Sequence, residues 1–116
     1  MNRKEYNGWY NYETWCVNLW LTNEESSANY WCEAAQLSFR HAIIKHESYF
    51  TISEQARLDL AKQLKDEIEE TAPDLGASMW TDMLNASLSE VNWNEIANGF
   101  LEEVEDGEDK YESVAD

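Results

Sequence analysis

A chain of 116 residues with 43% apolar content is one domain, or one domain and a tail, with material enough for a core. Its formal net charge of −16 repels nucleic acid at long range and excludes a phosphate-neutralising role. No apolar run reaches the roughly 18 residues of a membrane span, and the polar opening MNRKEYNGWY lacks the apolar region of a secretory signal, so the expected compartment is the cytosol.

The charge is unevenly placed. Residues 1–65 hold seven Lys/Arg against eight Asp/Glu, a balance of −1. Residues 66–116 hold sixteen Asp/Glu against Lys110, a balance of −15. Self-repulsion of this kind opposes folding, so it points either to a solvated surface or to a role outside the fold.

The expected architecture is all-α: a compact bundle of four to five helices with a disordered acidic C-terminal tail. One Pro and four Gly leave too little punctuation for an all-β chain. Gly8 permits a turn near the start. Asn11 caps a first helix over Tyr12 to Leu21, where Tyr12, Trp15, Cys16, Leu19 and Trp20 follow helical spacing and read as its core face. Thr22 and Glu25 read as a capping box for a second, central helix from Asn23 to His46. One of its rows is Tyr30, Ala34, Leu37, His41 and Ile44; the neighbouring row is Trp31, Ala35, Ser38 and Ala42. A second capping box, Thr51 and Glu54, opens a third helix to Thr71 that buries Ala56, Leu60, Ala61, Leu64 and Ile68.

Pro73 stops that helix. A fourth is expected from Leu75 to Leu88, with Gly76 a poor residue near its start. Asn92 and Glu95 form a further capping pair, with Val91 and Ile96 at staple positions. The fifth helix, Trp93 to Val104, buries Ile96, Ala97, Phe100 and Leu101. The domain therefore spans 1–104. Residues 105–116, EDGEDKYESVAD, carry too little apolar surface to offset the entropy of ordering.

Catalytic and cofactor signatures are missing from the sequence: no phosphate-binding Gly loop, HExxH, GxSxG or CxxC occurs. No enzyme activity, cofactor or metal is expected. His41 and His46 are five residues apart, off one helix face, and His41 reads as a half-buried helix residue. With Gly107 at the sixth place of a calcium loop, Val104 and Ser113 fall where oxygen ligands are required. Cys16 and Cys32 read as buried thiols acting as small hydrophobes.

Two features remain. The aromatic segment of Trp9, Tyr10, Tyr12, Trp15 and Trp20 serves either as core or as a protein-binding patch; base stacking would need interleaved cations, and only Arg3 and Lys4 are near. The acidic half serves either solubility or docking. Carboxylates on a helix at spacings of three and four lie about 5–6 Å apart, a spacing comparable to that of strand phosphates. Asp66, Glu67, Glu69, Glu70, Glu102, Glu103, Glu105 and Asp106 are the candidate contacts. Asp66, Glu67, Glu69 and Glu70 also crowd a helix C-terminus, where they oppose the macrodipole, a local conflict of the sort functional positions produce.

The stretch Asn11, Tyr12, Glu13, Thr14, Trp15, then Leu19, Trp20, Leu21, then Asn23 and Glu24 resembles small proteins of bacteriophages, plasmids and other mobile elements that share an NYETW core followed by LWL. The resemblance carries no catalytic residue. It implies the company of small acidic inhibitors of host defence, anti-CRISPR and antirestriction proteins among them, by analogy of class. The functional expectation is a DNA-mimicking inhibitor in the host cytosol that occupies the basic groove of a nucleic-acid-processing protein or complex of the host. The alternative is an accessory module that oligomerises through its aromatic N-terminal segment, its acidity serving only solubility.

Overall fold

The structure, a computed structural model, describes the backbone of residues 5–45 and 49–115 and the side chains as far as Val104. It opens on a tight turn. Asn7 and Gly8 both take positive φ, 49° and 85°, and Tyr6 and Trp9 exchange both backbone hydrogen bonds across them at 3.0 and 2.8 Å. Two successive positive φ values suit the Asn-Gly pair found here.

Five helices follow: α1 (Tyr12–Asn23), α2 (Glu25–Ile44), α3 (Ile52–Glu70), α4 (Met79–Ser89) and α5 (Trp93–Ala115). The described residues form no strand beyond the Tyr6–Trp9 bridge, so the class is all-α. The α3 capping box forms as the sequence requires: the Thr51 hydroxyl accepts from Glu54 N at 3.0 Å, and Thr51 N donates to the Glu54 carboxylate at 2.9 Å. The expected box at α2 does not form. Helix α1 runs on through Asn23, and the Thr22 hydroxyl donates back to the Asn18 carbonyl at 2.8 Å. Glu24 breaks the chain in extended conformation, without a side-chain cap. Helix α4 starts later than expected because Gly76 takes φ +68°, outside the helical region; Ser78 then caps α4 by accepting from Thr81 N. Helix α5 continues beyond Val104 to Ala115. A helix already nucleated adds one hydrogen bond per residue fixed, and EDGEDKYESVA contains no Pro to stop it.

Helix α2 is central, packing on α1, α3 and α5, while α3 packs on α5. The core holds Trp31, Ala35 and Ala42 of α2, Ala56, Leu60 and Leu64 of α3, and Trp93, Ile96, Ala97, Phe100 and Leu101 of α5. The stripes expected of α3 and α5 are those buried, except that Ile68 is only half-buried, and Val91 joins Ile96 inside. Of the two α2 rows, the Trp31 row turns inward; Tyr30, Leu37, His41 and Ile44 of the other face solvent. His41 is thus exposed rather than half-buried, and His46 lies outside the described residues.

Two expected faces are corrected. In α1 the residues turned inward are Thr14, Val17 and Leu21, while Tyr12, Leu19 and Trp20 are exposed. Apolar residues surround this helix, so their spacing selects no face; hydrogen bonds to the segment between α4 and α5 do. Helix α4 buries no residue at all, and Leu75, Met79, Trp80 and Met83 stand exposed. It is amphipathic but meets its neighbours only weakly.

Leu60 and Leu64 are fully buried. Truncating either to Ala should lower stability to urea by about 2–5 kcal/mol. Gly99 lies under Trp9, whose ring would meet an added Cβ at 3.8 Å, an ordinary contact. Gly99→Ala should therefore gain roughly 1 kcal/mol of helix propensity, read as a raised thermal midpoint; a lowered midpoint would show that Trp9 cannot accommodate the methyl group.

Candidate functional site

Three regions were candidates on sequence grounds: the NYETW segment, the acidic end of α3 and the acidic α5. The first is a structural junction. Asn11 caps α1, its Oδ1 accepting from Thr14 N at 2.9 Å and from the Thr14 hydroxyl at 2.6 Å. Its Nδ2 donates to the Glu90 carbonyl at 2.7 Å, just past α4. The Thr14 hydroxyl in turn accepts from Asn92 N at 2.9 Å, ahead of α5. Asn92 Oδ1 accepts from Glu95 N at 3.2 Å, and Glu95 Oε1 accepts from Tyr10 N at 2.9 Å. The expected Asn92–Glu95 capping pair is thus half local. The Glu95 carboxylate caps the N-terminal segment instead of its own helix. Asn11 and Thr14 are both buried, so each hydrogen bond satisfies a group that water cannot reach.

The motif therefore acts on the fold through Asn11 and Thr14 and leaves its aromatic members outside. Tyr6, Tyr12 and Trp15 cluster with ring centroids 4.8–5.4 Å apart. Trp9 packs against the core and Trp20 is exposed. Cys16 and Cys32 are free and half-buried. Burial, with the Glu103 carboxylate adding to it, pushes the Cys32 thiol up from its ordinary pKa.

The acidic residues divide by partner. Asp66 and Glu69 form i,i+4 ion pairs with Lys62 at 2.6 Å and Lys65 at 3.3 Å. Glu67 accepts from the Tyr30 hydroxyl at 2.8 Å and from Gln63 at 3.0 Å, which ties α3 to α2. Glu70 is exposed at the helix end. Two of the four carboxylates at the α3 end thus have a cation one turn back, which relieves the conflict with the macrodipole. On α5, Glu102 accepts from Asn98 at 3.2 Å, whereas Glu103 lines a cleft with Trp9, Asn18 and Phe100. The side chains of Glu105 and Asp106 lie outside the described residues. Among the described residues no group of three or more His, Cys, Asp and Glu is placed to hold a metal ion, and no helix is long and apolar enough to cross a membrane.

One sequence family matches residues 2–110. The chain belongs to this family of unknown function, DUF7249. No curated protein and no solved structure is similar to it. The match runs through α1 to α4 and into α5 as far as residue 110, so the family pattern spans most of the acidic half as well as the NYETW segment.

Replacing Thr14 with Val keeps its shape but leaves Asn92 N–H without its acceptor. Urea denaturation should show a loss of about 1–3 kcal/mol, with Thr14→Ser close to wild type. The surface carboxylates set the acid limb of stability. Glu54 is held below the ordinary carboxylate range, first by the hydrogen bond from Thr51 N, and Asp66 is held low first by its hydrogen bond to Lys62. A depressed folded pKa stabilises above the unfolded value and is lost as pH falls through the folded one. Glu54→Gln should therefore flatten the fall in thermal midpoint between about pH 5 and pH 3; an unchanged slope would remove Glu54 from the acid transition.

Proposed function

We propose that this protein is a non-enzymatic inhibitor of a host defence complex that handles nucleic acid, of CRISPR-Cas or restriction type. It acts in the host cytosol as a mobile-element product, and its acidic surface occupies a basic groove that otherwise holds a phosphate backbone. The observation that carries the reading is charge segregation: residues 66–116 hold sixteen acids and one cation. Half of those acids fall within 102–116, at positions such as 102, 105, 109 and 112 that repeat at three and four along a helix reaching Ala115. Carboxylates three and four apart on a helix lie about 5–6 Å apart. A surface with such spacing steers quickly into a cationic groove and leaves it as salt rises.

The two acidic regions are unequal partners in this reading. Lys62 and Lys65 offset Asp66 and Glu69, so α5 carries more of the docking than α3. The Asn11–Thr14 junction holds α5 in place and takes no part in contact.

The test is inhibition of restriction or CRISPR interference in cells producing the protein, with binding to the inhibited complex followed at low and raised salt. Reversing Glu102, Glu103, Glu105 and Asp106 to Lys should abolish both. Reversing Asp66, Glu67, Glu69 and Glu70 should weaken them less. Duplex DNA should compete with the protein for the complex. Inhibition that survives both reversals, or binding indifferent to salt over the range where screening sets in at about 8–10 Å, would end the mimicry reading.

A further inference from the structure

The acidic reading makes no use of the apolar surface that α1 and α4 leave uncovered. The start of α1 is tied to the end of α4 where Asn11 Nδ2 donates to the Glu90 carbonyl. A groove of about 270 Å³ opens between the two helices, lined by Tyr12, Cys16, Val17, Leu84, Leu88 and Val91 together with the polar Glu13 and Ser87. Beyond the groove the same rows continue outward. Trp20 lies one turn along from Cys16 and Val17, and Trp80 one turn back from Leu84, with Met79 and Met83 beside it.

These flanking residues are largely exposed: Trp20 is 65% accessible, Met79 61%, Trp80 59%, Met83 55% and Tyr12 51%. Taking about 200 Å² for each side chain of this size, they present roughly 500–600 Å² of apolar surface. The largest patch on a typical monomer is about 300–600 Å². With the groove lining added, two copies could bury at most roughly 1,200–1,300 Å² in total, the lower end of the about 1,200–2,000 Å² of stable interfaces. It is also the least charged part of a strongly acidic chain: α1 carries only Glu13 and α4 only Asp82.

We infer that this surface is a homodimer interface and that its occupant is a second copy of the chain. The patch contains both halves of a self-complementary contact, a groove between α1 and α4 and an apolar ridge of Met79, Trp80 and Met83. A two-fold axis places each ridge in the other copy's groove. Two identical chains can meet here because the −16 charge of each lies mostly elsewhere. The residual repulsion between them gives the dimer a signature opposite to that of acidic docking: added salt screens it, and the dimer tightens.

Sedimentation equilibrium of the full chain over a range of concentrations, at low and raised salt, tests this. The expected result is a mass rising to twice that of the monomer, at lower concentration when salt is raised. Trp80→Glu should return the monomer mass with an unchanged far-UV circular dichroism spectrum, since Trp80 packs into no core in the monomer. Should that variant lose its helicity, Met83→Glu and Trp20→Glu supply the same reading from other positions. A wild-type chain monomeric at every concentration and salt, or a dimer indifferent to all three variants, overturns the inference. Neither result bears on acidic docking, whose salt dependence runs the other way and whose variants lie on α3 and α5.

Discussion

The arrangement of this fold depends on a short relay of hydrogen bonds centred on the buried Asn11 and Thr14. Asn11 joins the start of α1 to the end of α4, Thr14 joins it to the backbone ahead of α5, and Glu95 returns from α5 to Tyr10. Each member is both donor and acceptor or uses both ends of its side chain. A side chain without its partner here would strand a buried polar group, which costs more than the bond itself returns. The relay therefore sets the rotation of α1 as well as its position. With Thr14 turned in, Val17 and Leu21 follow it one and two turns on, and Tyr12, Leu19 and Trp20 are carried outward.

That rotation divides the molecule by chemistry. The central layer of α2, α3 and α5 buries the core. The acidic residues concentrate on α3 and α5, and an almost uncharged apolar surface gathers on α1 and α4. Most of the negative charge and the exposed apolar side chains of α1 and α4 thus lie on different helices. An acidic surface can stay hydrated while the apolar one remains open to contact, because at physiological ionic strength exposed charges interact over only about 8–10 Å.

The fold was largely legible where apolar spacing agreed with a single neighbour. In α3, Ala56, Leu60, Ala61 and Leu64 form the one apolar stripe on an otherwise polar helix, and the Thr51–Glu54 box marks its start. In α5, Ile96, Ala97, Phe100 and Leu101 do the same. Legibility failed where apolar residues lie all around a helix, as in α1, or where an apolar helix meets its neighbours only weakly, as in α4. Spacing then gives a helix but no orientation. The junction itself had a visible signal, since Asn11 and Asn92 were both recognisable caps. That Thr14 and Glu95 would link one cap to the other, 78 and 85 residues away in sequence, had none.

What the sequence determined by itself is the all-α class, the approximate helices, the buried stripes of α3 and α5 and the concentration of negative charge after residue 65, because each follows from local spacing, capping chemistry or composition. Only the tertiary structure decided which way α1 and α4 face and which carboxylates have partners. Those outcomes depend on hydrogen bonds and contacts between residues distant in the chain, such as Asn11 with Glu90 and Tyr30 with Glu67, and no periodicity within one helix encodes them.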